Sequence, residues 1–266
     1  MPQTGGWRYQ EHGGGNLGPP LVFVHGAGGS RLHWPPTLRR LAGCHTLAVD
    51  LPGHGPAPIG EAGGLDDYAR GLAAWTAAVL VRRPVLVGHS MGSAVALTAA
   101  LDEPGALAGL VLVGAGARLK VNPKLLEGVA RAETFAAAVD QIVHWSFSAE
   151  AEARLVELAR ARLLETGSAM LAADLRACDA FDVTSRLSEI RLPTLVVVGG
   201  DDRMTPPRLS EELQDGIPGA RLEVVDAAGH MVMLEQPETI ARLLQSFVKD
   251  LSPSLKTSAA AKGDER

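Results

Sequence analysis

Pro84-Val85-Leu86-Val87-Gly88-His89-Ser90-Met91-Gly92-Ser93-Ala94-Val95-Ala96-Leu97 is the stretch whose reading decides the fold. An apolar run ends at Val87, a serine follows between two glycines, and a helix-forming run opens at Ser93. A serine held between glycines at a strand-to-helix turn is the pattern of a nucleophile elbow. To put Oγ at the apex of so sharp a turn, the backbone must be strained and neighbouring chain must press close. Side chains two residues before and two after the serine would collide, so Gly88 and Gly92 suit their places. The helix beyond aims its first N–H groups and the positive end of its dipole back at the serine. With 30 glycines in the chain the pentapeptide alone could arise by accident; the strand before it and the helix after it are what give it weight.

Working outward, 266 residues are enough for one full α/β core with an insertion. The apolar fraction of 46% is that of an ordinary globular chain. A net charge of −5 supplies no basic face, so nucleic acid is not an expected partner. Cys44 and Cys178 lack metal-ligand spacing and are expected as buried or half-buried thiols in a reducing compartment. The first ten residues carry no apolar signal core, and no apolar run reaches membrane-spanning length. A cytoplasmic enzyme without membrane attachment, a monomer or a homodimer, is the expectation.

Residues 1–6 read as loose chain, 7–11 as a first strand and His12-Gly13-Gly14-Gly15-Asn16 as a hairpin turn. Leu21-Val22-Phe23-Val24 is a short continuous apolar run, as for a strand buried on both faces, and ends in His25-Gly26-Ala27-Gly28-Gly29. A dinucleotide fingerprint fails there because Arg31 stands where the third glycine belongs, and fails again after Gly114-Ala115-Gly116, where Leu119 does. The loop reads instead as one whose backbone N–H groups face the elbow and hold an oxyanion. In this reading His25 secures the loop by hydrogen bonds, and His54, in Asp50-Leu51-Pro52-Gly53-His54-Gly55, shapes its own turn. Helices are expected over 34–41, 65–81, 206–216 and 237–251; strands over 45–49, 110–113, 193–198 and 222–225. Between about 118 and 186 strands vanish and Ala, Leu, Glu and Arg dominate, which predicts a helical insertion. Residues 252–266, polar and rich in small side chains, read as a disordered tail. The alternation implies an α/β class: a doubly wound, mostly parallel sheet with helices on both faces.

In such sheets the working residues collect beyond the carboxyl ends of the strands. A serine nucleophile needs a base, and the base needs an acid that holds its tautomer. Of the eight histidines, His230 follows the last strand in a glycine-containing loop and can reach Ser90; His89, beside the serine, should point elsewhere. The loop after Val113 holds no carboxylate as far as Lys120, whereas Gly199-Gly200-Asp201-Asp202-Arg203 follows the next strand. The acid is therefore Asp201 or Asp202, in the chain order Ser, Asp, His.

On these residues the chain resembles the α/β-hydrolase fold superfamily over nearly its whole length. The quoted loops at 25–29, 50–55 and 88–92, the stretch 199–206, and Gly229-His230 followed by Glu235-Gln236-Pro237-Glu238 match its habitual signatures. In the family's Gly-x-x-Asp-Arg-x-x-Pro pattern the acid precedes Arg, which selects Asp202. The resemblance further implies oxyanion donors at the N–H groups of Ala27 and Met91, a core over 1–117 and 187–251, and a helical cap over 118–186. Departures narrow it. Carbon–carbon hydrolases of this fold carry Asn before the nucleophile and Trp after the histidine, where this chain has His89 and Met231. Perhydrolase-like members have an aromatic residue where Ala27 stands, dehalogenases and epoxide hydrolases an aspartate in place of Ser90, and the closest habitual elbow a glycine in place of Ser93.

The resemblance thus implies a serine esterase cleaving small to medium carboxylic esters through an acyl-enzyme, with no metal or organic cofactor. Pocket candidates are His25, Trp145, Met170 and Met231; Phe135, Val139, Ile142, Val143, Phe147 and Leu171 are further apolar side chains of the insertion. Arg118, Lys120 and Arg203 are the cations available to a charged substrate, and none stands out as a carboxylate clamp. The alternatives are a lactonase or carbon–carbon hydrolase of a ring-cleavage metabolite, and a hydrolase-fold binding protein without catalysis.

Overall fold

The computed structural model describes residues 3–4, 7–13, 18–55 and 63–260. In chain order the elements are β1 Gln3–Thr4, β2 Trp7–His12, β3 Leu21–Val24, α1 Pro36–Arg39, β4 Thr46–Asp50, α2 Leu65–Val79, β5 Val85–His89, α3 Met91–Asp102 and β6 Gly109–Val113. Then follow α4 Pro123–Ala130, α5 Ala132–Ser146, α6 Ala153–Thr166, α7 Ser168–Ala180, β7 Thr194–Gly199, α8 Pro207–Gly216, β8 Arg221–Val225, α9 Val232–Glu235 and α10 Pro237–Ala260.

The apolar runs become the strands of one sheet, in the order β1-β2-β4-β3-β5-β6-β7-β8. β3 pairs in parallel with β4 and β5, and β5 to β8 continue in parallel. β1 and β2 are antiparallel. Period-2 alternation sends successive side chains to opposite faces. Phe23, Val87, Val111 and Val197 join one core cluster with Trp34, Leu38, Leu244 and Phe247. Val24, Leu86, Leu112 and Val196 join the other, with Leu72 and Trp75 of α2, Val95 of α3 and Leu213 of α8. Helices therefore cover both faces, which is why these strands read as unbroken apolar runs. α3 is buried from Met91 to Ala100, its alanines letting it lie close against β5 and β6.

The connections from β3 and β5, adjacent strands, leave in opposite directions: β3 leads outward to β4, β5 the other way to β6. A crevice opens beyond the strand ends at such a switch point. The insertion covers it. Between β6 and β7 the described residues hold α4 to α7, and the two ends of the segment meet in a bridge between Arg118 and Asp182 and a bond from the Val183 N–H to the Ala117 carbonyl at 2.8 Å.

Several local expectations are corrected. Gln3–Thr4 is a short strand rather than loose chain, paired with the start of β2. β2 pairs with β4 and not with β3, so the glycine turn after it does not make a hairpin; residues 14–16 of that turn lie outside the described residues. Paired with β4, β2 buries Trp7 and Tyr9 against Trp75 of α2, which a lone hairpin would leave in water. The expected helix over 34–41 shrinks to the single turn α1, preceded by a 3-10 turn at Arg31–His33, because consecutive prolines at 35 and 36 allow a helix to begin only there. α10 continues nine residues past Leu251 to Ala260, where a disordered tail was expected. Pro253 lies within this extension, so residue propensity alone does not account for it; the next glycine comes only at 263. Residues 261–266 of that tail lie outside the described residues. Cys44 and Cys178 are buried and unbonded.

Candidate active site

β5 ends at His89, and Ser90 caps α3 at φ 52° and ψ −116°, one of two non-glycine residues with positive φ among the described residues. Its N–H is tied to the Val113 carbonyl at 2.9 Å. The glycines on either side are required by contact. A Cβ on Gly88 would run into the Gly92 carbonyl, and one on Gly92 into the carbonyls of Val24 and His25. Ser93, where a glycine was habitual, donates its hydroxyl to the Ser90 carbonyl at 2.6 Å.

His230 stands in the loop after β8. Its Nδ1 lies 2.8 Å from Asp202 Oδ2, the protonated nitrogen donating to the carboxylate. Asp202, 4% exposed, also accepts the N–H groups of Met204 and Thr205 on Oδ1 and the Thr205 hydroxyl on Oδ2, each at 2.8 Å. These donors hold a charged carboxylate in one orientation. Asp201 is exposed and uses its backbone N–H on the Ala228 carbonyl, so geometry separates two residues that order along the chain left equivalent. At the other strand end where an acid could have stood, Gly114 has φ 55°, and a Cβ there would lie 3.0 Å from His230 Nδ1.

The N–H groups of Ala27 and Met91 make no hydrogen bond among the described residues, and Ala27 lines the same cavity as Ser90 and His230. This cavity has a volume of about 330 Å³. Its walls are Leu119, Val121 and Leu125, then Ile142, Val143, Trp145 and Phe147, then Leu163, Leu171, Leu175 and Cys178, with Met231 beside His230. Lys120, Asn122 and Arg203 are its polar rim. Of the pocket candidates, Trp145 and Met231 are in the lining; His25 and Met170 are not. On α7 it is the next residue, Leu171, that faces in, because a one-residue step turns a helix by more than a quarter of a circle. Among the insertion's other apolar candidates, Ile142, Val143 and Phe147 line the cavity while Phe135 and Val139 pack elsewhere. Arg118 is exposed and outside it.

His25 is wholly buried. Its Nδ1 donates to the Gly26 carbonyl at 2.8 Å and its Nε2 accepts the Leu51 N–H at 3.1 Å, so it ties the β3 loop to the β4 loop. Burial, and then the charge of His54, push its pKa well below the usual value, in keeping with that neutral tautomer. His89 does not point away from the site. Being on the same face of β5 as Val87, its ring comes to 4.7 Å from that of His230, and its Nε2 donates to the His230 carbonyl at 3.0 Å. Burial holds it neutral. His33, also in the lining, is lowered to about 4 by burial and by Arg162. Burial raises the Cys178 thiol, which leaves it a wall and not a nucleophile.

Three contacts were not foreseen. Thr205 lies 3.1 Å from His230 Nδ1 as well as on Asp202; it belongs to the stretch 199–206 already singled out. Glu235 accepts the Gly229 N–H and the Ser148 N–H, each at 2.9 Å, and so joins the His230 loop to the insertion. Asp174 on α7 is 2% exposed and pairs with His54. The signal for it was present: Leu171, Asp174, Leu175 and Cys178 follow helical spacing, so the aspartate stands in an apolar stripe.

Comparison with known proteins bears on the family and the fold. The profile described as the Alpha/beta hydrolase family matches residues 21–243. A pimeloyl-[acyl-carrier protein] methyl ester esterase of Neisseria meningitidis serogroup A is 31% identical over 261 residues, covering 90% of this chain and 80% of the relative. A thermophilic esterase of known structure superposes with a TM-score of 0.79 at 34% identity, over 87% of this chain and 90% of its own. Est816, described as an N-acyl homoserine lactone degrading enzyme, superposes at 0.80 with 26% identity over 91% and 96%.

Proposed function

Because the chain belongs to the alpha/beta hydrolase family, we propose that it hydrolyses carboxylic esters of small to medium size through Ser90, His230 and Asp202. The observation that carries the reading is the His230–Asp202 pair at 2.8 Å, opening on the same apolar cavity as a serine strained into positive φ. Ser90 Oγ attacks the ester carbonyl while His230 Nε2 takes its proton. Asp202 keeps Nδ1 protonated and stabilises the imidazolium that forms. The N–H groups of Ala27 and Met91 receive the developing oxyanion. Collapse expels the alcohol, which takes the proton from His230. Water then attacks the acyl-enzyme, again with His230 as base, and Ser90 is restored with release of the acid.

The apolar walls and their modest volume favour an uncharged acyl group, with the polar rim facing solvent. Lactone hydrolysis is the second reading. A lactone is an ester closed on itself, the same residues open it, and the similarity to Est816 favours it. The test is a panel of p-nitrophenyl esters of increasing acyl length, with simple lactones and ring-cleavage products beside it. Turnover of short to medium esters, lost in Ser90→Ala, supports the proposal. Ligand binding without turnover of any member would replace it with a non-catalytic binding protein.

A further inference from the structure

Gly28, in the loop after β3, is held on both sides by the insertion. Its N–H donates to Asp174 Oδ2 on α7 at 2.7 Å, and its carbonyl accepts the Thr166 hydroxyl at the end of α6, also at 2.7 Å. The loop closes on itself from the Gly29 N–H to the Gly26 carbonyl at 3.1 Å, which makes Ala27 and Gly28 the two central residues of a tight turn. Gly28 has φ 62°. In such a turn the orientation of the central peptide selects between alternative forms, and positive φ at the third residue goes with one of them. The bond from Gly28 to Asp174 is what holds that peptide.

Asp174 is itself held. The same Oδ2 accepts His54 Nε2 at 2.9 Å, while His54 Nδ1 faces the Pro52 carbonyl at 3.1 Å. A ring whose two nitrogens both face acceptors carries both protons, so a buried imidazolium orients a buried carboxylate. The side chains are 0% and 2% exposed. An ion pair placed there only to fasten α7 to the core would not need to spend its carboxylate on a loop amide.

We propose that Asp174 is a positioning residue of the oxyanion hole: by fixing the Ala27–Gly28 peptide it holds in place the turn that carries the Ala27 N–H. The insertion then does more than roof the cavity, since it supplies the residue that shapes the loop beneath it. The inference rests on the serine-hydrolase reading, and its test has one readout that does not.

The experiment compares wild type with Asp174→Ala and Asp174→Asn by amide hydrogen exchange at Gly28 and by steady-state ester hydrolysis. Asparagine keeps an oxygen to accept the Gly28 N–H. In the alanine variant, exchange at Gly28 should rise about tenfold or more, and kcat should fall by about tenfold or more with KM within about twofold. The asparagine variant should restore most of both. Unchanged Gly28 exchange, unchanged kcat in a folded but less stable alanine variant, or an asparagine variant no better than alanine each overturn the proposal. Should the alanine variant not fold, Asp174→Leu fills the same space without an acceptor and takes its place. A wild type that turns over no ester refutes the proposed function alone; the exchange readout still decides the role of Asp174.

Discussion

Ser90 stores strain where chemistry is expected. A non-glycine residue at φ 52° costs about 1–3 kcal/mol, and the buried strand β5 and the buried first ten residues of α3 sustain it. Ser90→Ala keeps the same backbone, so ester turnover should fall by more than about 10³-fold while the thermal midpoint stays within a few degrees. Retained turnover would remove Ser90 from the mechanism. The two adjacent aspartates give a sharper contrast. Asp202→Asn should lower kcat by about 10³-fold or more, because the His230 tautomer loses its partner, whereas Asp201→Asn should stay within about twofold. Equal losses in both would undo the assignment. Gly114 is the residue whose importance is least visible in the chain. Gly114→Ala places a Cβ against the His230 ring at a position with φ 55°, and should cost about 1–2 kcal/mol of stability. Its loss of kcat should be larger than that stability loss explains, measured at a temperature where the variant is fully folded.

Between elements, α7, the loop after β3 and the loop after β4 meet at Asp174, Gly28 and His54. Burial would lower the pKa of His54, but the hydrogen bond and charge of Asp174, helped by Asp50, outweigh it, and the net shift is upward. His25 and Tyr68 are the other rings packed on it, at 5.0 and 6.0 Å. A raised folded-state pKa means stability fully present below the unfolded value of about 6.5 and lost as pH rises through the folded value. Comparison with His54→Gln, which keeps a donor but not the charge, isolates the pair. Wild type should be more stable by about 1.5–3 kcal/mol at pH 6, the worth of a hydrogen bond to a charged group, and the gap should narrow as pH rises above the unfolded value of about 6.5, in urea unfolding. A gap independent of pH would mean that His54 is not charged in the folded protein.

For the whole molecule, the division of labour follows the sheet order. β3 and β5 lie side by side with outgoing connections in opposite directions, and the loops that leave them carry Ala27 and Ser90. The insertion covers this crevice, and Trp145 of α5, half-buried, stands with Asn122 and Leu125 between two hollows, the cavity of about 330 Å³ over Ser90 and an outer one of about 450 Å³. Trp145→Ala should open one into the other and move the preferred acyl chain of p-nitrophenyl esters toward longer lengths by about two carbons or more. An unchanged optimum would show that the outer hollow is not within reach of the acyl group.

Much of this was legible in the chain because strong local rules were in force. Strands buried on both faces must be continuous apolar runs, so β3, β5, β6 and β7 could be read directly. A serine elbow needs glycine on both sides for steric reasons, and chemistry at strand ends left His230 and one of two aspartates. What only the tertiary structure decided depends on contacts between residues far apart. The pairing of β2 with β4 is a contact across more than thirty residues, and it accompanies the packing of Trp7 and Tyr9 on Trp75 of α2. The contact of His89 with His230 joins β5 to the loop after β8, while the exclusion of Met170 from the cavity and the grip of Asp174 on Gly28, 146 residues away, follow from how the insertion packs on the sheet. Local pattern determines which faces are buried; it does not determine which buried faces meet.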